Sequence, residues 1–173
     1  MKRAFLILVL CGLAITTSVA AQTAAWRRYG LDGLTLEVPP DWAPSPHNPW
    51  VLRARTGRAT VNFGRWQPIR SSWYEDFDEW TSDWLDRSRG AFGPLKFRRR
   101  KVSGFDALTY WHTSFASQGQ RDTWIAVPDP GLKRGGSIYS FSLGTSDPQM
   151  VAVYERMLNS ISLDARVLSL SSK

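Results

Sequence analysis

From Gly33 onward the chain places apolar residues with a period of two. Leu34, Leu36 and Val38 alternate with Thr35 and Glu37, the pattern of a strand with one buried face. Pro39-Pro40-Asp41-Trp42 ends it, because proline has no N–H to give a sheet ladder. Pro44, Pro46 and Pro49 predict an irregular loop. Trp50–Arg55 and Ala59–Trp66 then read as two strands joined by a Thr56-Gly57-Arg58 turn, a hairpin signal. Upstream, Trp26–Tyr29 reads as a short strand entering a Gly30–Gly33 turn.

The period changes at Ser72. Trp73, Phe77, Trp80 and Trp84 recur at helical spacing, which at about 100° per residue puts them on one stripe. Asp76, Glu79, Asp83 and Asp86 gather on the other side. Ser72 and Glu75 have capping-box spacing. Arg87 and Arg89 suit the C-terminal end of the dipole, and Gly90 supplies the stop. The pattern predicts a helix over Ser72–Arg89.

Period two then returns in Leu95–Val102, Ala107–Ser114, Arg121–Val127 and Ser137–Gly144. The links Ser103–Asp106 and Ser117–Gln120 are short enough for antiparallel neighbours, and Pro128–Gly136 is a longer loop. Ser146 reads as an N-cap with Pro148 early in a second helix, whose apolar face is Val151, Tyr154, Leu158 and Ile161. Strands, helix, strands, helix, without strict βαβ alternation, predict an α+β fold: a central antiparallel sheet flanked by two main helices.

The first residues change the picture of where this domain works. Lys2 and Arg3 precede an apolar run, Ala4–Ile15, and Ser18-Val19-Ala20 or Val19-Ala20-Ala21 offers a small-residue cleavage site. That is a secretory leader over residues 1–21. Its apolar run is too short for a stop-transfer helix, so no transmembrane segment is expected after cleavage. Residues 22–164 then form a single domain, residues 165–173 a frayed tail, and the expected location is periplasmic or secreted. The one cysteine, Cys11, lies in the leader, which leaves the exported part without disulfides, thiolate catalysis or zinc–thiolate sites.

Losing Lys2 and Arg3 takes the formal charge from +7 to +5. Outside the cell a basic domain meets phospholipid headgroups, envelope polymers and acidic proteins rather than nucleic acid. The run Lys96, Arg98, Arg99, Arg100, Lys101 carries much of this charge. On a strand, Lys96, Arg98 and Arg100 share one side, and Arg99 and Lys101 share the other with Leu95 and Phe97. Charge on both sides predicts an edge strand, where it also blocks sheet-to-sheet aggregation. Arg53 and Arg55, with Arg58 and Arg65, are candidates to extend the patch, since arginine favours bidentate capture of phosphate or carboxylate. The nine tryptophans supply core area and N–H donors; Trp42, Trp50 and Trp66 are the candidates for stacking a sugar or flat ligand.

Catalytic signals are thin. His47 and His112 are the only histidines, no Gly-x-Ser-x-Gly elbow is present, and no paired histidines or calcium loop suggest a metal. No carboxylate pair is singled out for glycoside hydrolysis. No catalytic, cofactor-binding or metal residue is expected, and no cofactor.

The run Gly33-Leu34-Thr35-Leu36-Glu37-Val38-Pro39-Pro40-Asp41-Trp42 resembles the opening of the PsbP-like family: hydrophobic strand, Pro, two residues, Trp. That superfamily also takes in Mog-type Ran-binding proteins and bacterial DcrB-type envelope proteins. The strand Ser137–Thr145 followed by a helix closing on Met157-Leu158-Asn159-Ser160-Ile161 is similar, as is the Gly104–Val127 hairpin. The resemblance spans most of Leu34–Leu163. It implies an α/β/α sandwich used as a non-enzymatic binding or assembly module, and it carries over no catalytic residue and no photosystem role. The function expected is recognition of an acidic protein or an anionic envelope component through basic and aromatic surface. The alternative is a carbohydrate- or small-ligand-binding domain using exposed tryptophans, with a hydrolase behind both.

Overall fold

The computed structural model describes residues 25–69, 77–92, 95–112, 120–128, 136–145 and 147–170, without the side chains of 65–69, 90–92, 112 and 169–170. The leader therefore lies outside the described residues. So do the Ser72–Glu75 cap, Trp73, Asp76, the N-cap candidate Ser146 and most of the loops after Thr113 and Asp129.

Two antiparallel sheets form the scaffold. The strands are β1 (Arg27–Leu31), β2 (Leu34–Val38), β3 (Trp42–Ser45), β4 (Asn48–Ala54), β5 (Ala59–Ile69), β6 (Leu95–Val102), β7 (Phe105–His112), β8 (Arg121–Pro128), β9 (Gly136–Thr145) and β10 (Ser162–Leu163). The larger sheet has the order β3-β4-β5-β9-β8-β7-β6, and the smaller β1-β2-β10. The β6–β9 meander is joined to β3–β5 by the β5–β9 pair, which matches Phe63 with Phe141. Asp32-Gly33 (φ 28° and 80°) and Ser103-Gly104 (φ 53° and 83°) are tight left-handed turns. Positive φ at both central residues gives a twist that suits two-residue hairpins.

The prolines did not keep residues 44–49 irregular. Pro44 pairs with Leu52 in β3, and the register shifts between Pro44 and Ser45. β3 is the sheet edge, where a missing N–H leaves no neighbour unsatisfied, so proline is tolerated there.

Alternation along the strands sorts two cores. Val61, Phe63, Tyr139, Phe141, Leu143, Ile125 and Ala107 point to one face, and Leu108, Tyr110, Trp124 and Ile138 to the other. The helix α1 (Phe77–Phe92) lays its aromatic stripe on the second face. Trp80 meets Trp124 edge-on at 4.6 Å between ring centroids. Trp84 meets Tyr110 at 4.4 Å and Trp124 at 4.0 Å.

The first face carries α2 (Met150–Asn159), with Tyr154, Met157 and Leu158 buried. Its first turn is held by Asp147, whose carboxylate oxygen accepts the Gln149 N–H at 2.9 Å. This face is shared rather than covered by one helix. The small sheet adds Leu34, Leu36 and Val38 to the same core. The helix α3 (Ala165–Leu170) stands where the sequence predicts a frayed tail. Leu168 is 2% exposed, and its carbonyl accepts the Tyr139 hydroxyl at 3.2 Å, while the Asp164 carboxylate accepts the Arg166 N–H at 2.9 Å at the start of the helix.

The α2 contact includes a buried hydroxyl chain. Thr109 and Thr123 lie 2.7 Å apart, Thr123 lies 2.6 Å from the Tyr154 hydroxyl, and Tyr154 donates to the Phe141 carbonyl at 2.8 Å. Burial pushes the Tyr154 phenol far above its ordinary value, against a smaller opposing effect of the Thr123 hydrogen bond. Tyr110 is raised by burial and by the neighbouring Asp122. In the unfolded chain both ionise near pH 10, while in the fold they stay protonated. Above about pH 10 the unfolded state therefore holds fewer protons, and stability must fall as pH rises. Denaturant melts at rising pH are expected to show this alkaline loss. Tyr154→Phe should make the loss shallower, while costing about 1–3 kcal/mol at neutral pH through the unsatisfied Thr123 and Phe141 groups. An alkaline limb unchanged by the substitution would contradict the assignment.

Candidate functional site

Among the described residues β6 has β7 on one side and no strand on the other, so the basic run forms an edge there. The alternation also holds. Arg98 and Arg100 reach toward α2, and Arg99 reaches toward α1.

What each cation does there differs. Arg99 pairs with Asp78 and donates to the Thr81 hydroxyl at 3.3 Å, both on α1. Arg100, with its side chain only 12% exposed, meets Glu155 of α2 at 2.6 Å and also donates to Asn159. Lys101 closes on Asp106 across the hairpin at 2.6 Å. These three fasten the edge strand to its neighbours. Arg98 shares the same Glu155 oxygen at 3.5 Å but is 60% exposed. Lys96 is exposed at the outer end of the strand. Between them on the opposite side, Phe97 leaves 43% of its surface in solvent, unusual for a large aromatic.

Two residues outside the basic run complete this surface. Trp111 is the register partner of Lys96. Arg121 of β8 places its guanidinium carbon 4.9 Å from the centroid of the Trp111 ring, a cation–π distance. Partial burial lowers the pKa of Arg121, while the charge of Glu155 acts in the opposite direction. The strand pattern shows Arg121 and Trp111 as ordinary strand residues; only the three-strand register reveals that they meet.

Arg53 and Arg55 are not part of this surface. Arg53 is in β4 and Arg55 in the turn beyond it, with β5, β9, β8 and β7 between them and β6. At about 4.8 Å per strand that is roughly 24 Å across the sheet. Arg58 stands with them. The side chain of Arg65 lies outside the described residues.

Of the three stacking candidates, Trp42 is withdrawn from solvent. Trp42 is 2% exposed and belongs to the core. Trp50 stacks on Phe63 at 5.6 Å. Trp66 is in β5 with its side chain outside the described residues. Trp50 does border an apolar niche with Tyr29, Leu34, Leu52, Phe63 and Phe141. The niche holds only about 10 Å³ of free space, far below the roughly 300–1,000 Å³ of typical ligand pockets. The Tyr29 hydroxyl at its rim is already committed to the Pro49 carbonyl at 2.7 Å.

His47 is exposed in the β3–β4 turn, and the side chain of His112 lies outside the described residues. Among the described residues, no three His, Cys, Asp or Glu side chains are grouped to hold a metal. On α1, Asp83 pairs with Arg87 and Asp86 with Arg89, so these acids serve the helix surface. No helix among the described residues is long and apolar enough to cross a membrane.

No family model and no curated protein matches the chain. Among solved structures it is similar to the solution structure of cyanobacterial PsbP (CyanoP) from Synechocystis sp. PCC 6803. The identity is 13% and the TM-score 0.49, over 87% of this chain and 99% of that one. No residue role passes from that protein to this one.

Proposed function

We propose that this chain is an exported, non-catalytic binding domain that docks on an anionic envelope component through the outer end of β6 and the adjoining α2-side face. One observation carries the reading. Lys96, Arg98, Arg100 and Arg121 stand on one face against Glu155, the one carboxylate paired there among the described residues, and that carboxylate is held closely by Arg100. Among the described residues, Lys96 and Arg121 make no ion pair, and Arg98 shares only the Glu155 oxygen that Arg100 already holds. Exposed Phe97 adds an apolar contact at the same edge. The resemblance of Gly33–Trp42 to the PsbP-like family, whose members include envelope proteins of the DcrB type, is consistent with a binding role. The sugar-binding alternative loses Trp42 as a platform, since that side chain belongs to the core.

Co-sedimentation with lipid vesicles tests the reading. The purified protein is expected to bind phosphatidylglycerol vesicles, to ignore phosphatidylcholine vesicles, and to be released by salt as the screening length shrinks from about 10 Å to about 3 Å between 0.1 and 1 M. Lys96→Gln with Arg98→Gln should weaken binding by more than tenfold, each cation near an anionic surface being worth about 1 kcal/mol. Equal retention on both vesicle types, or retention untouched by the substitutions, would contradict it. Retention on an immobilised acidic polypeptide but on neither vesicle would place the partner among proteins instead.

A further inference from the structure

The α2-side surface has a more specific feature than excess charge. Lys96 and Trp111 are direct register partners on neighbouring strands. Arg121 lies one step past the Tyr110–Asp122 pair of the next strand, so the three form one cross-strand row: cation, indole, cation. Arg98 stands in the following row, opposite Thr109, whose own partner is Thr123. Lys96 and Arg121 are thus two strand spacings apart, roughly 10 Å between backbones. Side chains of their length close that gap over the indole.

Arg121 is fixed in place before any ligand arrives. The Trp111 ring backs its guanidinium, and among the described residues that guanidinium donates to the Gln120 carbonyl at 3.2 Å and to no carboxylate. Among the described residues that one bond leaves most of its donor fork unused. Arg121 is also half-buried, and that burial lowers its pKa. A half-buried arginine that makes no ion pair among the described residues is costly to the fold alone and favourable to a bound anion.

We propose that Lys96, Arg98 and Arg121, over the floor made by Trp111, form a seat for a phosphate group. This rests on the anionic-docking reading above and names its ligand chemistry. Phosphate fits better than carboxylate because the donors come from two strands and two rows. A tetrahedral anion offers oxygens in several directions and up to two charges, whereas a carboxylate presents one planar edge. The group could be carried by a lipid headgroup or be free in solution, and the test separates the two.

The indole N–H resonance of Trp111, followed by heteronuclear NMR of the purified protein, is the readout. Inorganic phosphate should shift it saturably, and acetate at matched ionic strength should not. Arg121→Gln should weaken the phosphate response at least about tenfold, the effect of losing one hydrogen bond to a charged group, with Arg121→Lys in between. Arg98→Gln, at an exposed position that the fold tolerates, should weaken it as well. Equal responses to phosphate and acetate, or responses unchanged in both Gln variants, would overturn the proposal. Competition between phosphatidylglycerol vesicles and phosphate for the same resonance would identify the headgroup as the source. Vesicle binding without any phosphate response would sink the seat and leave the docking reading standing. A phosphate response without vesicle binding would keep the seat, assign it to free phosphate, and remove the docking reading.

Discussion

Replacing Trp80 by alanine is expected to cost about 3–5 kcal/mol of folding stability, the range for truncating a fully buried large aromatic. Trp80 is 1% exposed. It stacks against Phe77 at 6.0 Å and meets Trp124 at 4.6 Å, so it joins α1 to the sheet. The smaller neighbours Thr81 and Ser88, also buried on that helix, cannot fill the space. For a domain of this size the loss corresponds to a melting-temperature drop on the order of 10 °C. Phe97→Ala is the internal control: an exposed aromatic on the edge strand should change stability by no more than about 0.5 kcal/mol. A Trp80→Ala cost below about 1 kcal/mol would mean that α1 is not held as described. The effect also reaches the proposed site, because Arg99 ties β6 to Asp78 and Thr81 of that helix.

Glu155→Gln should move two quantities in opposite directions. Glu155 accepts from Arg100 at 2.6 Å and from Arg98 at 3.5 Å. The amide keeps an acceptor for Arg100 but removes the charge, and a hydrogen bond between charged groups contributes about 1.5–3 kcal/mol. Partial exposure of both partners places the expected stability loss near the bottom of that range. The same substitution removes the negative charge that, among the described residues, lies nearest Arg98 and acts on Arg121. With an effective dielectric between protein and water, a unit charge some 8 Å from a bound anion repels it by on the order of 1 kcal/mol. Affinity for anionic vesicles should therefore rise several-fold as the melting temperature falls. If the carboxylate served only to hold α2 on the sheet, stability would drop and affinity would not increase. Measuring both on one preparation separates the outcomes.

The residues that were legible from sequence are those whose environment is set locally. Leu34, Leu36 and Val38 are buried and Glu37 is exposed, as their alternation requires. The Phe77–Trp80–Trp84 stripe faces the sheet because one helix surface holds it. The alternation of Arg98, Arg99 and Arg100 followed from strand pleating. What failed depended on partners far along the chain. Pro44 entered a strand because β3 is an edge, and no local rule says which strand will be last. Residues 165–170 form a helix because Leu168 finds a core built by distant strands. Trp42 is large and amphipathic, equally suited to a groove or a core, and only tertiary packing assigned it to the core. Arg53 and Arg55 looked like neighbours of the basic run until strand order put four strands between them. Arg121 and Trp111 lie ten positions apart and meet through the β7–β8 register, which the intervening loop does not encode in any residue pattern.

A photo-crosslinking side chain placed at Phe97 in one variant and at Arg58 in another, each exposed to native envelope, examines the cationic edge itself. Adducts are expected from position 97 at low salt, with loss at high salt, and none from position 58 at the far side of the sheet. Adducts from position 58 alone, or none from position 97 under any salt condition, would show that this edge is not where the domain meets its partner.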